Sequence, residues 1–173
     1  ALRYTSPRPS DRSASILDNP KQAPPMLPTF EIRASASAKT VPLLVHIPHG
    51  SMRIPEPWRS QIQLDDAALG RELLAMTDAH TEELFAPSSV DRGGVAFVNR
   101  LSRLVFDPER CESDEQEPLS RKGMGAVYMR TSEGRLLRRS DFSATQRGEI
   151  IDQLFRPYAV AFEDLVSRIL DGH

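Results

Sequence analysis

Two short apolar runs do most to limit what this chain can fold into. Val41 to His46 and Val95 to Val98 are each of strand length. Between them Leu69, Leu73, Met76, His80 and Leu84 recur every three or four residues, so they share one helix face and place His80 on or near the buried stripe. Strands alternating with helices predict an α/β layered fold, a mixed sheet flanked by helices. Phe30-Glu31-Ile32-Arg33 alternates and predicts another short strand. A helix is expected to open at Leu64-Asp65-Asp66 and to end at Pro87-Ser88-Ser89. Later, Thr131 to Arg135 reads as a hairpin-like turn, and Ser143 with Gln146 as a capping box. Ile150, Ile151, Leu154 and Phe155 then point inward, Pro157 kinks or restarts the helix, and Gly172 suits its end.

Length and charge narrow the function classes. The 173 residues suffice for one domain with a core. Residues 1–28 are rich in Pro, Ser, Arg and Asp, and are expected to form an extended leader or a proline-rich partner ligand. Residues 29–173 are expected to hold the α/β domain. A net charge of −2 argues against a nucleic-acid partner, which needs a basic surface. No apolar run approaches the roughly 20 residues of a membrane span. The single cysteine, Cys111, rules out an internal disulfide and a cysteine-rich metal site, and fits a reducing, cytoplasmic setting. The sequence sets no oligomeric state.

Candidate chemistry concentrates at three places. His49 follows the first apolar run, between Pro48 and Gly50. Ligands bind at the carboxyl ends of strands in open α/β sheets, so His49 reads as a metal ligand or general base, or as a turn histidine with no role. His46, three residues earlier, should face the opposite side of an extended strand and reads as a packed histidine. Asp78 and His80 lie on opposite sides of an ideal helix, so they can serve one site only if the helix breaks near Thr77; otherwise they are a surface acid and a core histidine. Arg103, Asp107 and Arg110 surround a β-like run, Leu104-Val105-Phe106. They read as an anion site, since arginine binds carboxylates two-pronged, or as a structural ion-pair cluster.

These residues resemble a known family. Pro48-His49-Gly50-Ser51 resembles the Pro-His-Ser-Gly motif of the N-formylglutamate amidohydrolases (N-formylglutamate deformylases). Thr77-Asp78-Ala79-His80, with Leu84-Phe85, is similar to that family's Thr-Asp-Trp-His helix. Ser102 to Arg110 is similar to its Ser-Arg-(apolar)-Asp-Leu-Asn-Arg signature, and Arg156-Pro157-Tyr158 to part of its Pro-Tyr-His segment. The resemblance implies a fold like zinc-dependent exopeptidases and aspartoacylases, with one divalent metal, zinc, at the sheet's carboxyl edge. It implies hydrolysis of N-formyl-L-glutamate, a small acidic substrate, to glutamate and formate in histidine breakdown. Carried over, His49 and Asp78 are metal ligands, and Asp78 and His80 catalytic residues. Arg103 and Arg110 hold substrate carboxylates and Asp107 aims an arginine.

The chain departs from the family at Glu109 (for Asn), Ala79 (for Trp), Ala159 (for His) and in the order of Gly50-Ser51. These changes widen the expected substrates to other N-acyl amino acids. A further histidine motif of the family has no counterpart before His173. The domain is therefore expected to be either an incomplete N-terminal part of a longer enzyme or a relative that binds acidic ligands without turnover.

Overall fold

A computed structural model describes residues 28–35 and 41–172. The leader expected at 1–28 lies, Pro28 apart, outside the described residues.

The predicted α/β layering is present. Strands β1 (Phe30–Ala34), β2 (Leu44–Ile47) and β3 (Val95–Asn99) form a mixed sheet in the order β1-β3-β2. β1 runs antiparallel to β3, with Phe30 opposite Asn99; β2 runs parallel to it, with Leu44 opposite Val95. A parallel pair needs a long crossover. Here helices α1 (Asp66–Met76) and α2 (Thr81–Asp91) supply it. Asp65 caps α1 by accepting from the Ala68 N–H.

Side-chain alternation along β3 sorts the core into layers. Ala96 and Val98 pack with Ile47 of β2 and Ala86 of α2. Phe97 faces the other way, into a larger cluster with Phe106, Ile150, Leu154 and Tyr158. That side is covered by α3 (Ala144–Ile150), one π-helical turn (Ile151–Phe155) and α4 (Arg156–Asp171). Ser143 and Gln146 form the expected capping box. Pro157 does not end the helix. It sits in the first turn of α4, where the missing N–H matters least.

Four expectations change. The single helix expected from Leu64 to Pro87 breaks near Thr77, which closes α1, and His80 takes the capping position of α2. His80 adopts a left-handed conformation at φ 65° and lies exposed instead of on a buried stripe. Pro87 lies inside α2, which continues to Asp91. Leu104-Val105-Phe106, read as β-like, is fully buried but forms turns and no strand. Its carbonyls find a side chain in place of a neighbouring strand: the Arg138 guanidinium donates to Leu104 O and Val105 O.

Candidate active site

β2 ends at Ile47, and the next two residues carry the chain over the edge of the sheet. The Asn99 side-chain amide, at the end of β3, donates to the Pro48 carbonyl at 2.9 Å. The Asp78 N–H donates to the His49 carbonyl at 3.0 Å. These two bonds fix His49 between the sheet and the break separating α1 from α2. The helix break near Thr77 is therefore what brings Asp78 to His49. Gly50 leaves little room beside it, since a Cβ there would come within 3.2 Å of Ile47 and Thr81 atoms.

The His49 ring is only 4% exposed, and its two nitrogens have different surroundings. Nε2 lies 2.8 Å from Asp107 Oδ1. Asp107 is fully buried and also accepts from Arg103 Nη2 (2.7 Å), the Tyr128 hydroxyl (2.8 Å) and the Glu109 N–H (3.1 Å). Arg110 Nε stands 3.4 Å away. Burial alone would push the Asp107 carboxyl up. The hydrogen bonds and charges of His49 and Arg103 outweigh it and hold the group well below the usual carboxylate range. A carboxylate only accepts, so Nε2 must be the protonated nitrogen. Burial, and then the same carboxylate, push the Tyr128 hydroxyl up to about 12, keeping it a donor.

Nδ1 is therefore the nitrogen left to face outward. It stands 3.5 Å from Asp78 Oδ2 and 3.7 Å from Glu109 Oε2. All three residues line a cleft of about 270 Å³, together with His46, Thr81 and Phe85. A histidine oriented by a buried carboxylate, with its other nitrogen in a cleft, can serve as a base or as a metal ligand. His80 does not line this cleft; its ring pairs with Glu83 at 3.5 Å and is 78% exposed.

The metal ligands inferred above can be tested against this geometry. His49 Nδ1 and the Asp78 carboxylate are close neighbours, with Glu109 beside them. Among the described residues, however, no group of three His, Cys, Asp or Glu side chains is placed to hold an ion. The donor set here does not fit a complete site of three protein ligands.

The structure brings His49, Asp78, Arg103, Asp107 and Arg110 into one cluster and leaves His80 at its margin. The arginines point at Asp107, and among the described residues the buried Nε of each makes no hydrogen bond, Arg110 Nε having only the 3.4 Å ion pair with Asp107. Sequence reasoning missed Tyr128 altogether, because nothing around it marks a contact with Asp107, 21 positions away. It also placed His46 only in the core. His46 does pack on Phe162 (centroids 4.4 Å apart) and bonds the Tyr158 hydroxyl at 2.8 Å, yet it reaches the cleft as well. The chain leaves its strand before His49, so the alternation that should separate the two histidines no longer applies.

Comparison with known proteins agrees with this architecture. The model of the family described as N-formylglutamate amidohydrolase matches residues 41–173. The crystal structure of an N-formylglutamate amidohydrolase from Ralstonia eutropha JMP134 superposes with a TM-score of 0.70 at 17% identity, covering 83% of this chain and 53% of that one. A gene product of Agrobacterium tumefaciens gives 0.53 at 19% identity, covering 83% and 50%. At these identities the likeness is one of fold. The chain spans about half the length of both structures. No curated protein sequence matches it.

Proposed function

The chain belongs to the N-formylglutamate amidohydrolase family, and we propose that its cleft serves hydrolysis of the amide bond of an N-formyl or other N-acyl amino acid, such as N-formyl-L-glutamate. One observation carries the reading: a buried carboxylate–imidazole pair, Asp107 to His49, presents the remaining imidazole nitrogen to a cleft beside Asp78.

The reaction adds water to the amide carbon, breaks the C–N bond and returns a proton to the departing amine. Asp78 is the proposed proton carrier. Its carboxylate is half-exposed, 3.5 Å from His49 Nδ1, and close enough to accept the water's proton and hand it on. Arg103 and Arg110 are the proposed holders of the substrate's carboxylates. Asp107 aims both guanidinium groups, through Arg103 Nη2 at 2.7 Å and Arg110 Nε at 3.4 Å, and their planar forks suit a carboxylate. His80 enters as a rim residue. Glu109, on the cleft wall, is placed to influence which acyl amino acid fits.

A divalent cation, zinc by the family resemblance, is the proposed cofactor; His49 Nδ1 and Asp78 would be two of its ligands, one short of the three a complete site takes among the described residues. The kinship with zinc-dependent exopeptidases and aspartoacylases, a role in histidine breakdown and a cytoplasmic setting belong to the same proposal. Among the described residues no helix is long and apolar enough to cross a membrane.

Formate release from N-formyl-L-glutamate, with elemental analysis of the protein, tests the reading. Turnover with a bound divalent ion is expected, and His49→Ala should lower both, the rate by roughly 100-fold or more. Binding of the substrate without formate release would make the chain a ligand-binding relative instead.

A further inference from the structure

Arg138 is a charged side chain buried where, among the described residues, no acid pairs with it. It is 2% exposed, and among the described residues its hydrogen bonds all go to uncharged acceptors. Nε donates to Tyr128 O at 3.0 Å, and Nη2 donates to Leu104 O at 2.9 Å and to Val105 O at 3.0 Å. Nη1 reaches Gln61 Oε1 at 3.5 Å, and the Phe142 ring lies beneath the guanidinium at 5.0 Å. A buried cation with no counter-charge is costly unless its hydrogen bonds are well made. Burial draws this guanidinium down to about 10, so it remains charged at neutral pH.

The acceptors explain what such a group can do. Leu104 and Val105 lie three and two residues before Asp107, in the segment that forms turns and no strand. Tyr128 is held at both ends: its carbonyl by Arg138, its hydroxyl by Asp107. The Asp107 N–H in turn bonds Ala126 O at 2.8 Å, two residues before Tyr128. One planar fork therefore ties the loop that carries Asp107 to the segment whose hydroxyl orients it. An apolar residue of similar volume could fill the space but could not hold three carbonyls of two segments in register.

We propose that Arg138 is a positioning residue of the candidate site, fixing the backbone on which Asp107 and Tyr128 meet so that Asp107 holds the Nε2–H form of His49 with Nδ1 toward the cleft. The proposal rests on His49 being the working group of that site. It does not depend on turnover, and its test reads the ring itself.

The measurement is the ¹⁵N spectrum of the His49 imidazole in the 173-residue chain, treated with chelator so that no metal occupies Nδ1, which reports the ratio of the two neutral tautomers. Two variants bracket the role. Arg138→Lys keeps the charge but has no fork; Arg138→Gln removes the buried charge and keeps a planar donor. Both are to be checked for folding by circular dichroism. In the unaltered chain Nε2–H is expected to dominate. Each folded variant should lower that preference by roughly tenfold, the scale of losing an outer-shell partner, with lysine retaining more of it than glutamine. An unchanged ratio in either folded variant overturns the proposal. Failure of both to fold also overturns it, since Arg138 is then a core residue without a separable positioning role. Absence of formate release, by contrast, bears on the proposed function and leaves this readout intact.

Discussion

Arginines and carboxylates form two clusters in this chain, and they behave differently. In the first, Glu31 and Arg33 of β1 join Arg100, just past β3, and Glu82 of α2. Two acids meet two arginines, and the side chains are 27–40% exposed. In the second, one fully buried acid, Asp107, faces Arg103, Arg110 and the His49 ring. The first cluster is balanced in charge and open to water, so each pair adds little. The second is unbalanced, has a fully buried acid at its centre and is continuous with a cleft through His49. The ingredients are nearly the same. Burial and an uneven count of charges turn one of them into a candidate site.

Breaking the buried cluster should have the largest effect. Asp107→Ala leaves two arginines and an imidazole facing the space of their only shared acceptor. A stability loss of about 3–5 kcal/mol in urea unfolding is expected. A loss under about 1 kcal/mol would place the cluster in the same class as the exposed one. Tyr128→Phe removes a single bond to the same carboxylate and should cost about 2 kcal/mol, the usual worth of a bond to a charged group. An unchanged midpoint would mean that the hydroxyl contributes no net stability.

The exposed cluster should respond least and depend most on conditions. Glu31→Gln is expected to change stability by no more than about 1 kcal/mol, and the change should fade in high salt. Hydrogen bonds from Arg33 and Arg100 lower the Glu31 carboxyl from its ordinary 4.5 to about 2. A folded-state value below the unfolded one adds stability that is complete above pH 4.5 and disappears as pH falls toward 2. Acid unfolding of the unaltered chain should show this slope, and Glu31→Gln should flatten it between those limits. An identical slope in both proteins would assign the acid sensitivity elsewhere.

Some of the site was legible before the structure. His49 at a strand end, Asp78 in a family-like motif and the arginines around Asp107 all follow from local pattern and from motif resemblance. Their relations were less accessible. Arg103 read equally as a substrate anchor or as part of an ion-pair cluster, and only the fold shows it bonded to an acid four residues on. His80 lies two residues beyond Asp78, but its left-handed backbone at the start of α2 turns the ring toward Glu83. A hydrophobic period cannot anticipate that turn, because the period assumes that the helix continues.

By itself the sequence determined what neighbours within about four residues can decide: the β3 strand and the capping box of α3. Apolar spacing and caps act over one or two turns of chain, so they are written locally. The tertiary structure decided where the buried charges go. Asp107 meets His49 across 58 positions and Tyr128 across 21, and Arg138 reaches back 33 and 34 positions to Val105 and Leu104. Each of these groups must find a partner once it is cut off from water, and only packing determines which partners lie within reach.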